Sequence, residues 1–495
     1  MEWPVTERYD RLVTGFAYDT SNPIEAQAKA NYAKNPIPEL PVSAFTAKGG
    51  LMWAGQNGAG RSPYKTNAGQ WLPRIGLAWQ LTPQTVLRTG YGIYFGSLGV
   101  DSFVPVQTGF SQTTPIQASL DNGQTYQATL ANPFPKGLIA PSGAAGGLTT
   151  SLGQALSFFN PNLNPPYSQR WSFGIQRQLP GAFLVDASYV GNRTTHLSVT
   201  QQLNNTPANF LSTSPVRDQN AINFLTQQVP NPFFGLNSIY TSNISRASLL
   251  QPYPEFGNIS VLQPQGYSWY HALQVKVERR MVKGLTLQMG YTHSKYMQAN
   301  EYLNPTDPVP YRVVSENDRP NLFTVSGLWE IPVGRGRRFA SNLPRVVNVL
   351  VGNWQLDGSE VHQSGAPLSW GNIIFNGNIK DISLSGDKTT VDRWFNVDAG
   401  FNRNSTQQLA NNIRTFPLRL SGVRGDAQTI LNFSLLRNYS IVERVKVQFR
   451  AEAYNALNHP VFDLPNTTPT SSAFGTVTQS ISEPRGIQLA LKIVF

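Results

Sequence analysis

The stretch Pro484 to Phe495, PRGIQLALKIVF, decides the fold. Ile487, Leu489, Leu491, Ile493 and Phe495 fall on one face of an extended chain, and Gln488, Ala490 and Lys492 fall on the other. A strand alternates its side chains with period two, so one side of this segment meets an apolar medium and the other meets water. A soluble sandwich accounts for one such strand. It does not account for a strand that ends the chain on an aromatic residue and whose pattern recurs throughout the sequence.

Working back from this strand, the same alternation returns in pairs. Leu431, Phe433 and Leu435 lead to a turn near Ile441, and Val445, Val447, Phe449, Ala451 and Ala453 return. Phe323, Val325, Gly327, Trp329 and Ile331 precede a longer turn before Trp354 and Leu356. Leu273, Val275 and Val277 run into the turn Val282-Lys283-Gly284, and Leu285, Leu287, Met289 and Tyr291 come back. Trp171, Phe173 and Ile175 turn at Leu179-Pro180-Gly181 into Phe183, Val185, Ala187 and Tyr189. Ile75, Leu77, Trp79 and Leu81 turn at Thr82-Pro83-Gln84 into Leu87, Tyr91, Ile93 and Phe95. Proline suits that turn, because it fixes φ and has no ladder N–H to lose. Glu7 to Phe16 reads as the end of one further strand.

Between the hairpins lie long stretches rich in Gly, Ala, Pro, Ser, Thr and Gln: Val100 to Pro166, and roughly Thr200 to Gly266. Loops of that length are out of place inside a compact soluble domain. They are ordinary on the outer side of a membrane barrel, whose periplasmic turns are short. Counting strand directions back from a periplasmic C-terminus makes about Asp19 to Leu72, including GGLMWA, one extracellular loop region. About twelve strands result, an even number as bacterial barrels require. Trp171, Tyr189, Tyr291, Trp329 and Phe495 stand near strand ends, as interfacial aromatic girdles do. The competing reading makes these aromatics the core of a soluble sandwich.

Composition agrees with strands that have one wet face. Of 495 residues, 40% are apolar and only 14% charged, below the quarter usual for soluble domains. The mean hydropathy is −0.27, and no apolar run reaches the length of a spanning helix; Val346 to Val351 is far too short. With no cysteine, the fold depends on neither disulfides nor thiolate metal sites. A net charge of +11 raises the question of nucleic acid. The basic residues are spread singly, however, and their largest cluster, Arg335, Arg337 and Arg338 in GRGRRF, reads as a polar turn, so no nucleic-acid partner is expected. MEWPVTERYD has no basic leader, apolar core or cleavage site, so either the protein stays in the cytoplasm or Met1 is not the natural start.

Chemical signatures are missing. The five histidines, His196, His271, His293, His362 and His459, are scattered, without ligand spacing, and read as strand-end or loop residues. There is no G-x-S-x-G, P-loop or H-E-x-x-H, and Gly334-Arg335-Gly336 lacks the strand–helix context of a phosphate cradle. No catalytic, cofactor or metal residue is assigned, and no enzyme or cofactor is expected. Asn192, in an Asn-x-Thr sequence, reads as a strand-end turn. Glu316, Asp318 and Arg319 are candidates for the mouth of a lumen, with a solvated loop as the plainer reading. Arg170, Gln176, Asp186, Lys276, Glu278, Gln288, Lys446, Arg450 and Glu452 are placed on the wet wall.

Several spaced blocks carry a family resemblance: PVTERYDRLVTGF, PRIGLAWQLTPQTVLRTGYGIYFG, NPPYSQRWSFGIQRQLPGAFLVDASYVGNRTTHL, RPNLFTVSGLWEIPVGRGRRF, RAEAYNALNHPVFDLPN and the terminal FGTVTQSISEPRGIQLALKIVF. Together they resemble the C-terminal barrel part of Oar-like TonB-dependent receptors of the acidobacterial type. The resemblance spans nearly the whole chain and implies an all-β, antiparallel, up-and-down transmembrane barrel with long outer loops. The family's barrels have about 22 strands, of which this chain matches roughly the last twelve. Members also carry a signal peptide, a carboxypeptidase-regulatory-like domain, a plug and a TonB box, none of which is matched here. A truncated or split gene is the expected reason.

Residues 1–495 are therefore expected to form one outer-membrane barrel domain, the barrel portion of a receptor for uptake of a scarce solute. Its expected partners are outer-membrane lipid, a small solute, the TonB system through an N-terminal plug, and a separately encoded N-terminal barrel half. A passive pore or surface-binding barrel, a non-functional fragment, and a secreted soluble β-rich binding protein or enzyme remain as alternatives. An open array has two unpaired edges, which lipid does not tolerate, so the lone chain either closes into a smaller barrel, pairs, or fails to insert.

Overall fold

The structure, a computed structural model, describes residue 4 and residues 6–495 except 57, 98–108, 112, 115, 117, 120–123, 136 and 443–444. Expectations that fall on Met1 or on 100–108 lie outside these. In chain order the first strands are β1 (Val13–Phe16), β2 (Leu51–Trp53), β3 (Arg74–Thr82), β4 (Thr85–Phe95), β5 (Leu156–Phe159), β6 (Tyr167–Leu179) and β7 (Phe183–Gln202). Next come β8 (Gln228–Pro230), β9 (Asn243–Ser245), β10 (Ile259–Val282), β11 (Leu285–Ala299), β12 (Val313–Val314) and β13 (Asn321–Glu330). The last are β14 (Trp354–Gln363), β15 (Pro367–Ser369), β16 (Arg419–Arg424), β17 (Gln428–Val442), β18 (Val445–Tyr454) and β19 (Gly486–Val494). Among the described residues four short α-helices lie between them: α1 (Glu25–Tyr32), α2 (Gln219–Thr226), α3 (Arg246–Leu249) and α4 (Arg345–Val351).

One 13-stranded sheet dominates. Its continuous antiparallel path runs β3-β4-β6-β7-β10-β11-β13-β14-β17-β18-β19, with β5 attached to β10 and β12 to β11. Each neighbour on the path is the next long strand in sequence, so the sheet is an up-and-down meander. It does not close: β3 and β19 each have one edge without a strand partner among the described residues.

Directly opposed residues of antiparallel neighbours share a face. The register therefore strings Trp79, Leu87, Ile175, Ala187, Val275, Tyr291 and Phe323 into one apolar row. A second row runs Leu285, Trp329, Leu356, Leu435, Ala451 and Leu489. These rows are not buried in protein: Trp79 is 59% and Leu489 69% exposed. The opposite face joins Gln176, Asp186 and Lys276, then Glu278 to Gln288 and Arg450 to Ala490. All nine residues assigned to the wet wall stand on this polar face by register.

Connections divide by length. Tight turns close β3–β4, β6–β7, β10–β11 and β17–β18, whereas 96–166, 203–258, 300–320, 364–427 and 455–485 connect the other ends. At the β10–β11 turn both Lys283 (φ 54) and Gly284 (φ 77) are left-handed, the primed geometry whose twist matches a hairpin. The turn region between β13 and β14, residues 331–353, is the exception at this end and contains α4.

The buried core sits in the long connections and in the long-loop ends of the strands they join. One cluster unites Val13, Phe16, Leu51, Trp53, Leu156, Phe158, Tyr253 and Phe256; a second unites Ala28, Tyr32, Phe45, Leu225, Phe233 and Leu249. A third gathers Leu368, Trp370, Phe395, Phe401, Phe416 and Phe474. Their rings stack closely, with centroids 4.4 Å apart for Tyr32 and Phe45 and 5.3 Å for Trp370 and Phe401. At about 1.5–3 kcal/mol per large apolar side chain, such clusters are enough to fold a loop into a lobe.

Two expectations change here. The Glu7 to Phe16 strand is not part of the wall: β1 pairs with β2, the GGLMWA segment, and all four of its residues are buried. Val13 and Phe16 are buried in one cluster with Leu51, Phe158 and Tyr253, which a wall strand facing lipid and water would not allow. The wall path thus has eleven strands, β3 onward, rather than twelve. Nor are the long loops without structure; the stretch before Pro166 supplies β5, which pairs in parallel with β10. Asn192 lies inside β7, opposite Arg170 and Tyr270, not at a strand-end turn.

Candidate functional site

The polar face and the lobes at the long-loop end offer the chemistry. On the polar face Lys276 pairs with Glu278 two residues along its own strand, and Arg450 approaches Glu452 at 3.7 Å. These pairs keep a row of charges locally neutral. Arg88, Ser172, Gln176, Asp186 and Ser188 line a small polar recess of about 160 Å³ on the same face.

The mouth residues have unequal fates. Asp318 is fully buried, receives the Tyr296 amide at 2.6 Å, and meets the Arg424 guanidinium at 2.5 Å. It is a latch between the β12–β13 segment and β16, neither solvated nor open to a ligand. Arg319 donates to the Glu316 and Asp318 carbonyls, and burial together with nearby Arg424 pushes its pKa down. Glu316 is exposed.

Sequence reasoning missed the arginines that knit the lobes. Arg419 donates through Nε to the Val314 carbonyl at 2.8 Å and ion-pairs with Glu301. Arg414 donates to the carbonyls of Phe416, Trp370 and Pro417, while its own amide donates to Asn304 Oδ1 at 2.7 Å. Arg217 reaches the Gln408 carbonyl at 2.9 Å, and the Ser212 and Ile413 amides bond across to Asn411 and Ser212. The lobe holding α2 and the lobe built on 364–427 are thereby joined. The only local signal was three arginines at five-residue spacing in an otherwise neutral stretch, Arg414, Arg419 and Arg424.

Beside the latch is a cavity of about 500 Å³ lined by Thr389, Thr390, Trp394, Asp426 and His459 among others. The Trp394 indole donates to the Arg424 carbonyl at 2.7 Å, and Asp426 accepts the Phe462 amide at 3.0 Å. An aromatic wall with hydroxyls, an imidazole and a carboxylate suits a neutral or weakly charged polar solute better than a bare ion. Among the described residues no cluster of His, Asp or Glu has metal-ligand geometry.

The histidines divide by place. His271, His293 and His362 stand on the apolar face at its long-loop end: Tyr189 Oη lies 2.7 Å from His271 Nδ1, and His362 Nδ1 lies 2.8 Å from Thr429 Oγ1. Trp171, Tyr189 and Tyr291 share that level, whereas Trp329 and Phe495 occupy the short-turn end. The Trp171 ring lies over Gly191, filling the space a Cβ would take. Two aromatic belts bounding an exposed apolar band describe a wall in a bilayer.

The sequence matches the family described as Outer membrane beta barrel domain over residues 2–488. The chain belongs to that family. This outer-membrane barrel protein accordingly lies in the cell outer membrane, its apolar face against lipid and its long loops outside. Among solved structures it is similar to the outer membrane transporter YddB from Escherichia coli, at 10% identity and a TM-score of 0.39, covering 84% of this chain and 39% of that one. It is also similar to the pyoverdine receptor FpvA from Pseudomonas aeruginosa PAO1, at 10% identity and 0.38, covering 90% and 38%. BauA, the ferric preacinetobactin receptor from Acinetobacter baumannii, gives 12% and 0.35, covering 86% and 36%. The barrel protein thus spans well under half the length of these three structures. No curated protein matches it.

Proposed function

We propose that this outer-membrane barrel protein is the wall and outer-loop portion of a TonB-dependent receptor-like transporter, one that captures a scarce polar solute and is not an enzyme. The observation that carries the reading is the open wall: an eleven-strand arc with a lipid face, a water face, and the outer edges of β3 and β19 without a strand partner among the described residues. In lipid an unpaired edge costs several kcal/mol per unsatisfied group. The arc is completed by further strands, in the same polypeptide or a separate one, and enclosed by a plug through which TonB acts. The joined outer lobes, with the cavity beside Trp394, form the receiving surface.

The experiment is electrophoretic and electrical. The chain alone, folded in detergent, should give no heat-modifiable closed-barrel band and no stable conductance in planar bilayers. Added N-terminal barrel strands should create the band, and a plug should keep the membrane silent. A heat-modifiable, steadily conducting chain on its own would replace the transporter with the passive-pore reading.

A further inference from the structure

We propose that α4 and the arginines around it form an interfacial anchor seated in the phospholipid leaflet at the short-turn end of the wall. The sequence offered this region as a polar turn; the structure makes it something else. Trp354, Arg437 and Phe449 are opposed in register and so share the lipid face with Leu489 and Leu491. The helix is tied to that face at two points and to the turn before it at a third. The Trp354 indole donates to the Leu350 carbonyl at 2.9 Å, the Arg437 guanidinium donates to the Asn348 carbonyl at 2.6 Å, and the Arg335 amide donates to Asn348 Oδ1 at 2.8 Å.

Held in this position, the helix turns apolar side chains outward. Val346 is 78%, Leu350 71% and Val351 48% exposed, with Val347 and Val349 close behind. Five exposed apolar residues on a seven-residue helix have no place in water. They continue the lipid face around its rim, at the level of Trp329. Arg335, Arg338 and Arg345 are exposed beside them, and Arg337 is engaged with Glu330. An apolar face flanked by cations is what a leaflet of acyl chains under phosphate groups recognises. The occupant is therefore the membrane that already covers the wall, with phospholipid phosphates opposite the arginines.

The chain has no cysteine, so single introduced thiols report one place each. Leu350→Cys, Leu489→Cys and Asn404→Cys are labelled with an environment-sensitive fluorophore in the full chain. They are read in phosphatidylethanolamine–phosphatidylglycerol vesicles, in the floated fraction where the Leu489 probe is quenched by chain-centre nitroxide lipids. Outer membranes isolated from expressing cells serve equally. The Leu350 probe should be blue-shifted, shielded from iodide, and quenched more by nitroxide near the headgroup than at mid-chain. Combining Arg335→Glu, Arg338→Glu and Arg345→Glu should reverse that shift and leave the Leu489 probe unchanged. Iodide quenching equal to that of the Asn404 probe would overturn the anchor. So would shielding without nitroxide quenching, since that marks a protein cover in place of lipid.

Discussion

Asp318 and Arg424 lie 106 residues apart in sequence and meet at 2.5 Å, with the carboxylate wholly out of contact with water. The pair joins the loop after β12 to the lobe on β16. Removing one partner leaves a buried charge unpaired, which costs about 3–5 kcal/mol. Asp318→Ala should therefore loosen the lobe while sparing the wall. Limited proteolysis should show faster cleavage within 364–427, and hydrogen exchange in the wall strands should stay as it was except at the Tyr296 amide of β11, which loses its acceptor. Pairing Asp318→Ala with Arg424→Met should recover part of the loss.

Glu255 gives the lobes a pH dependence. Its carboxyl is fully buried, and burial raises its pKa from 4.5 to about 8. The folded state therefore holds a proton that the unfolded state releases. The protonated form's advantage is complete below pH 4.5 and is lost as pH rises to about 8, by about 1.4 kcal/mol per unit at most. Lobe stability, followed by exchange protection around Ile259 and corrected for intrinsic rates, should fall across that window and level off above it. Glu255→Gln should flatten the profile. A profile that rises with pH would refute the assignment.

Glu360 is a carboxylate on the lipid face, opposed by Val325 and Leu431. It borders a groove of about 500 Å³ where Gly327 and Gly358 leave the wall thin. Acidic residues facing lipid destabilise barrels by less than the 2–4 kcal/mol of mid-bilayer cations. Glu360→Leu should stabilise the inserted wall by about 1 kcal/mol, read as a higher urea midpoint for unfolding from vesicles.

The β10–β11 turn predicts a loss. A Cβ on Gly284 would stand 2.9 Å from Glu330 Cβ, on a backbone with φ of 77°. Gly284→Ala should cost about 1–2 kcal/mol and show as a lower denaturant midpoint in detergent, whereas Lys283→Asn should be neutral or mildly stabilising.

The wall was legible in sequence because its rule is local. Ile487, Leu489, Leu491 and Ile493 state their face by spacing alone, and Val282-Lys283-Gly284-Leu285 states where the chain reverses. The lobes obey no such period. Val13 and Phe16 look like the end of a wall strand until Leu51, Phe158 and Tyr253 are known to enclose them. Asp318 was visible as a charge near a mouth, but its partner could not be seen, since a contact spanning 106 residues leaves no mark on either neighbourhood. The same holds for Glu255, whose burial depends on three separate loops, and for α4, whose brevity hid an exposed face.

That the wall turns an exposed apolar face outward while the lobes are held by buried clusters means the chain answers to two different kinds of selection. Along the wall, a leucine exchanged for valine or phenylalanine keeps its polarity and changes little, since lipid conforms to whatever shape it meets. Within a lobe the same exchange disturbs a fixed jigsaw of rings, and a neighbour must change with it. Substitutions in the wall are thus free in shape and bound in polarity, and those in the lobes are bound in both. The surface that meets the outside world can drift only by coordinated steps, on a frame that tolerates independent ones.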